Sequence, residues 1–233
     1  MENSVKFLFS GDSALVIEFG NEISVDINKK IRKMMDNIKK ENIDGIVELV
    51  PTYCSLLINY DVLKVDYQSL VEKLKTLLND DNETVEDEEV TLIEIPTLYN
   101  DECGPDLSYV AEYNKLSKEE VIKIHTGTDY LVYMLGFMPG FTYLGGMSEK
   151  IATPRLESPR LQIYPGSVGI AGKQTGMYPS MSPGGWRIIG RTPLKLYNPD
   201  SETPVYISSG DYIRYVSISE EEYNNILKKV ENN

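Results

Sequence analysis

GFMPGFTYLGG at residues 136–146 and TPRLESPRLQIYPGSVGIAGKQTGMYPSMSPGGWRIIGRT at residues 153–192 decide how this 233-residue chain is read. The stretch from Gly136 to Thr192 holds 11 of the 17 glycines, 6 of the 12 prolines, four of the six arginines and the single tryptophan. Glycine and proline at this density mark corners between short strands rather than helix interiors. Six basic residues stand against Glu149 and Glu157, a net +4 in a chain whose total is −13, so the remainder sums to −17. A positive, glycine-rich island in an acidic protein is the first pointer to a ligand.

The totals narrow the classes. Apolar content of 41% and charged content of 25% are those of an ordinary globular protein. A −13 chain is repelled by nucleic acid and by anionic membrane, so neither is expected as a partner. No apolar run reaches the roughly 20 residues that span a bilayer, and MENSVKFLFSGDS lacks the basic and apolar regions of a signal peptide. Cys54 and Cys103 make no disulfide framework, which points to a reduced, cytoplasmic setting. With His125 as the one histidine, a His-rich metal site is excluded, and no G-x-S-x-G elbow is present for a Ser-His-Asp triad.

Outward from the island, the chain reads as α+β in two domains, 1–85 and 86–233. Val5–Phe9 and Ala14–Phe19 are apolar runs split by turn residues. Ser24 is placed to cap a helix whose apolar face is Ile27, Ile31, Met34, Met35 and Ile38. Strands Ile46–Val50 and Ser55–Tyr60 and a helix carrying Leu70, Leu74, Leu77 and Leu78 complete a small α/β unit with its helices on one face. Asn79–Glu89, with seven acids and almost nothing apolar, reads as a solvated linker. Val90–Ile95 reads as a strand closed by Pro96, and Asp106–Asn114 as a short helix. Ser117–Glu120 and Ser219–Glu222 are capping boxes, and Tyr130–Leu135 is an apolar run entering the island. Leu194–Tyr197, Val205–Ser208 and Tyr212–Ile218 read as closely spaced strands of a barrel or sandwich.

Within the island, Pro154-Arg155 and Pro159-Arg160 repeat one pattern. Proline stiffens the backbone on which each planar guanidinium stands, so the pair could clamp a carboxylate or phosphate or could simply meet surface acids. Gly172-Lys173 sits in GSVGIAGKQT, which fails the P-loop pattern because Ser167 replaces the first glycine and Gln174 the magnesium-binding hydroxyl. The turn is either an anion site built from backbone N–H groups or a tight corner between strands. Trp186, after Gly184-Gly185, is a pocket wall or a core plug. Phe137, Phe141 and Tyr143 line a concave surface or fill the core. His125 reads as a structural residue rather than a base.

GFMPGFTYLGG, TPR…SPR, PGSVGIAGKQTGMYP and SPGGWRIIGRT closely resemble the family of B-type subunits of 5-oxoprolinase, as do FSGDSALVIEFG and the His125-Thr126 pair. The family is also called allophanate hydrolase subunit one, and it includes the Kip-type inhibitor of a sporulation sensor histidine kinase. The resemblance implies an α/β domain followed by a cyclophilin-like β-barrel. It implies one member of a heteromeric enzyme that opens 5-oxoproline to L-glutamate with ATP, and with the magnesium that accompanies ATP. Its partners would be a homologous, C-type barrel protein and a third, A-type protein, and the chain would be inactive alone. The alternatives are the kinase inhibitor and a component of an allophanate hydrolase or urea carboxylase-like enzyme. The candidate substrate-binding set is Phe141, Tyr143, Arg155, Arg160, Gly172, Lys173, Gln174, Tyr178, Gly184, Gly185 and Trp186. No catalytic residue and no metal ligand is assigned.

Overall fold

A computed structural model describes residues 5–78 and 91–231. The chain divides into two compact units, Met1–Glu89 and Val90–Asn233. The acidic segment Asn79–Glu89 lies outside the described residues.

The first unit is a four-stranded antiparallel sheet with two helices. Its elements are β1 (Lys6–Phe9), β2 (Ala14–Glu18), α1 (Val25–Glu41), β3 (Ile46–Pro51), β4 (Ser55–Tyr60) and α2 (Tyr67–Leu78), and the strand order is β1-β2-β4-β3. Alternation along β2 and β4 sends Leu15, Ile17, Leu56 and Ile58 to one face. There they meet Ile27, Ile31, Met34 and Ile38 of α1 and Leu70 and Leu74 of α2 in one core. Each such side chain contributes about 1.5–3 kcal/mol on burial, which is why the helical and strand periods read so clearly. Ser24 is the N-cap of α1, although its hydroxyl accepts no bond from the helix.

The second unit opens with β5 (Leu92–Thr97), α3 (Leu107–Tyr113), α4 (Lys118–Thr126), β6 (Asp129–Leu135) and β7 (Thr142–Gly145). It continues with β8 (Arg160–Ile163), β9 (Ser167–Ala171), β10 (Gln174–Met177), β11 (Ser182–Gly184), β12 (Arg187–Arg191), β13 (Tyr212–Ser217) and α5 (Glu220–Glu231). The sheets are β5-β13-β6-β7, β10-β9-β12 and the ribbon β11-β8. Among the described residues these ladders stay open and do not join into one closed barrel; an isolated bridge between Leu98 and Arg191 links two of them. One large core with Ile95, Tyr130, Val132, Val168, Ile170, Met177, Ile189 and Ile213 lies between the sheets. Both capping boxes form: Ser117 and Glu120 exchange bonds of 3.1 and 2.7 Å, and Ser219 and Glu222 do the same at 3.2 and 2.8 Å.

Two expectations change. Pro96 does not close its strand but lies inside β5, which is an edge strand where a missing N–H is tolerated. Leu194–Tyr197 and Val205–Ser208 are not strands. Leu196 and Ile207 still plug the core, but Pro193, Pro199 and Pro204 withhold donors that a ladder would need.

Candidate functional site

An aromatic floor forms where β7, β9, β10 and β12 meet. Phe141, Ile163, Ala171, Tyr178, Trp186 and Ile188 make a separate buried cluster, with Met138 and Tyr143 against it. Phe141 is the hub. Its ring lies edge-on to Tyr143 at 5.2 Å and to both Tyr178 and Trp186 at 5.5 Å. Edge-to-face contacts of this kind add about 0.5–1.5 kcal/mol to the burial of each pair. Gly184 is needed here, because a Cβ at that position would lie 2.5 Å from the Tyr178 hydroxyl and 2.6 Å from Ile163 Cδ1.

The two Pro-Arg repeats bring their cations to the edge of this floor. The segment carrying Arg155 is pinned at three points. Thr153 exchanges backbone bonds with Gly172, the Pro154 carbonyl accepts Arg187 Nε at 3.2 Å, and Leu156 N–H donates to Gly185 O at 2.8 Å. Arg155 is exposed and forms no ion pair among the described residues. Arg160 begins β8, opposite Gly184 of β11. Both charges reach the Tyr178 phenol. Burial pushes that group up to about 12, while Arg155, the Trp186 backbone amide and Arg160 work in the opposite direction. Tyr178 is therefore a neutral hydroxyl at physiological pH, held beside two guanidinium groups.

Asp106 organises the cations from beneath. Its Oδ1 accepts from Arg160 Nη2 at 2.9 Å and lies 4.0 Å from Arg187 Nη1, while Oδ2 accepts the Ile188 N–H at 2.7 Å. The carboxylate is buried, and the two arginine side chains are 32% and 13% exposed. The Arg187 guanidinium also lies 3.7 Å over the Tyr109 ring. Two arginines thus share one carboxylate while Arg155 has no ion-pair partner among the described residues, and the local surplus is positive.

Residues 5–207 match the carboxyltransferase domain family, subdomain C and D. The chain belongs to that family. It is 46% identical over 222 residues to the B-type subunit of 5-oxoprolinase from Bacillus subtilis, covering 91% of this chain and 92% of that protein. It is 36% identical over 209 residues to the B-type subunit of 5-oxoprolinase from Escherichia coli O157:H7, covering 88% and 93%. Among solved structures, that of TTHA0988 superposes with a TM-score of 0.78 at 32% identity, covering 88% of this chain and 40% of that one.

In this member of the carboxyltransferase C and D family, the predicted residues fall into two groups. Phe141, Tyr143, Arg155, Arg160, Tyr178, Gly184, Gly185 and Trp186 come together. Gly172, Lys173 and Gln174 lie on the β9–β10 hairpin, which is a tight corner. Gly172 adopts φ +61°, its N–H donates to Thr153 O at 2.8 Å, and Lys173 pairs with the exposed carboxylate of Glu149. The Gly172 amide is therefore not available to an anion.

Asp106, Tyr109 and Arg187 join the site only in the structure, and the first two are not legible as site residues in the sequence. Asp106 precedes Arg160 by 54 positions and reads as the start of a helix, and only the packing of α3 beside β12 joins them. Arg187 does carry a signal, since it follows the glycine pair and tryptophan directly. His125 is buried and neutral: burial holds its imidazole down to about 3. The Thr175 hydroxyl donates to Gly169 O at 3.1 Å and so accepts from His125 Nε2, leaving Nδ1 to accept from Tyr99 Oη, both at 2.8 Å. Among the described residues no group of three or more His, Cys, Asp or Glu could hold a metal, and no helix is long and apolar enough to cross a membrane.

Proposed function

We infer that this chain is the B-type subunit of a heteromeric, ATP-dependent 5-oxoprolinase, which opens 5-oxoproline to L-glutamate. The observation that carries the reading is near end-to-end similarity to proteins bearing that name, spanning over nine-tenths of the Bacillus subtilis protein. The site supports it chemically. 5-Oxoproline is a small ring with a carboxylate and a lactam carbonyl. Arg155 and Arg160 offer planar forks for the carboxylate at the edge of a buried aromatic floor, in which Tyr178 keeps a neutral hydroxyl.

ATP, with its magnesium, is proposed as a co-substrate of the assembled complex, where phosphorylation would activate the lactam carbonyl. The β9–β10 hairpin does not fit its phosphates, because the Gly172 amide is engaged and Lys173 is paired. This chain's own contribution is to bind and orient the anionic lactam. The partners proposed are a homologous, C-type protein and a third, A-type protein. The open sheets around one core suit a cyclophilin-like arrangement, which belongs to the same reading.

The test is reconstitution. Glutamate release from 5-oxoproline with ATP is measured for the three proteins together and for each omission. Turnover is expected only from the full set. Robust turnover by this chain alone, or none by the complete set, would overturn the reading.

A further inference from the structure

The β6–β7 loop holds one residue in a backbone conformation that its side chain disfavours. Phe137 has φ +63°, in the left-handed region where a bulky non-glycine residue is an outlier. The loop closes tightly around it. Gly136 N–H donates to Phe141 O at 3.2 Å, Met138 N–H to Gly136 O at 2.6 Å, and Phe141 N–H to Met138 O at 3.1 Å.

The strain is not repaid by burial. The Phe137 side chain is 67% exposed, so most of its apolar surface faces water. Its one aromatic contact is with Phe141, edge-on at 5.5 Å, at the centre of the aromatic floor. A strained backbone that presents an exposed aromatic against the Phe141 floor is the pattern expected where conformation serves binding rather than folding.

We propose that Phe137 is a ligand-binding residue, an aromatic cover whose exposed ring closes over a small cyclic anion held at the outer edge of the floor, where Arg155 is exposed and Arg160 partly so. The identity of that anion as 5-oxoproline rests on the function inferred above. The role of Phe137 follows from its strain, its exposure and its contact with Phe141. No other part of the site needs φ above zero at a side chain of this size.

Phe137→Asn is the informative variant, because asparagine tolerates the left-handed region and removes the ring. Phe137→Tyr keeps the ring. Both are assayed in the assembled three-protein enzyme for KM, kcat, affinity for the partner proteins and melting temperature. For Phe137→Asn, the expected result is a KM for 5-oxoproline raised about tenfold, the fold-change of one lost apolar contact of about 1.4 kcal/mol, with kcat and partner affinity unchanged. The melting temperature stays level or rises, and Phe137→Tyr stays within about twofold of wild type. An unchanged KM overturns the proposal. So does a weaker partner affinity at constant KM, which would make Phe137 a partner contact, and so does a fall in melting temperature alone, which would make it structural.

If the wild-type complex does not turn over 5-oxoproline, the functional reading fails by itself, and Trp186 then decides the case for Phe137. It is the only tryptophan, and its ring is 5.5 Å from that of Phe141, so its emission reports ligand on the floor. The chain is titrated with 5-oxoproline and with inorganic phosphate. A weaker response in Phe137→Asn sustains the cover, and identical responses in the two proteins, including no response in either, overturn it.

Discussion

Two tyrosine-rich clusters sit in the second unit, and their surroundings separate them. Around His125, Tyr215 stacks at 4.4 Å, Tyr130 donates to the His125 carbonyl at 2.8 Å, and Tyr99 and Thr175 occupy both ring nitrogens. Among the described residues no cation enters, burial raises the Tyr130 and Tyr215 phenols, and the imidazole is neutral. Around Phe141, the same types of ring stop at an edge where Arg155, Arg160 and Arg187 supply charge. Aromatic composition does not distinguish a core from a site. What does is whether charge reaches the edge of the cluster, because the closed cluster also keeps one polar group, the buried Tyr215 hydroxyl, without a hydrogen-bond partner.

The comparison breaks most visibly in the closed cluster. His125→Ala strands the Tyr99 hydroxyl, withdraws the donor that Thr175 accepts and leaves a cavity, and is expected to destabilise the second unit by about 3–5 kcal/mol. Thermal melting checks this, and the kinetics of the folded fraction should not change. A pH series sharpens the point. The folded imidazole titrates at about 3 against an ordinary 6.5. Its contribution is therefore complete above 6.5, and between there and about 3 the unfolded state binds the extra proton. Stability falls with decreasing pH in that window by about 1.4 kcal/mol per unit from this group, and His125→Gln should remove that part of the slope.

The open cluster should respond in kinetics. Arg160→Ala in the assembled enzyme is expected to lower kcat/KM about ten- to a hundredfold, the equivalent of one charged hydrogen bond of about 1.5–3 kcal/mol. Arg160→Lys should recover only part, because a point charge does not reproduce the fork. A smaller effect, about tenfold in KM, is expected from Asp106→Asn, which keeps an acceptor for Ile188 N–H but withdraws the charge that holds Arg160. Equal kinetics in all of these variants would make the floor a second core. The smallest effect belongs to the hairpin. Lys173→Ala should leave kcat/KM within about twofold, because exposed pairs such as Lys173–Glu149 contribute little.

Much of this protein is written locally. The apolar faces of α1 and α2, the alternation in β2 and β4, and the box at Ser117 follow from neighbours within a few residues, so their reading needs no tertiary information. The motifs in residues 136–192 are also local, and they carry both the family and most of the candidate site, from Phe141 to Trp186. Three things required the fold. Asp106 reaches Arg160 across 54 positions, because α3 packs beside β12. The amide of Gly172 is spent on Thr153, which removes a candidate that spacing alone left open. Leu196 and Ile207 enter the core from irregular backbone, where an apolar run resembles a strand. In each case the deciding quantity is which hydrogen bond or cavity a group finds far along the chain. The sequence by itself determined most of the element types and the family. Tertiary packing decided which polar groups are satisfied within the protein and which remain for a ligand, because that balance is a sum over contacts that no local window contains.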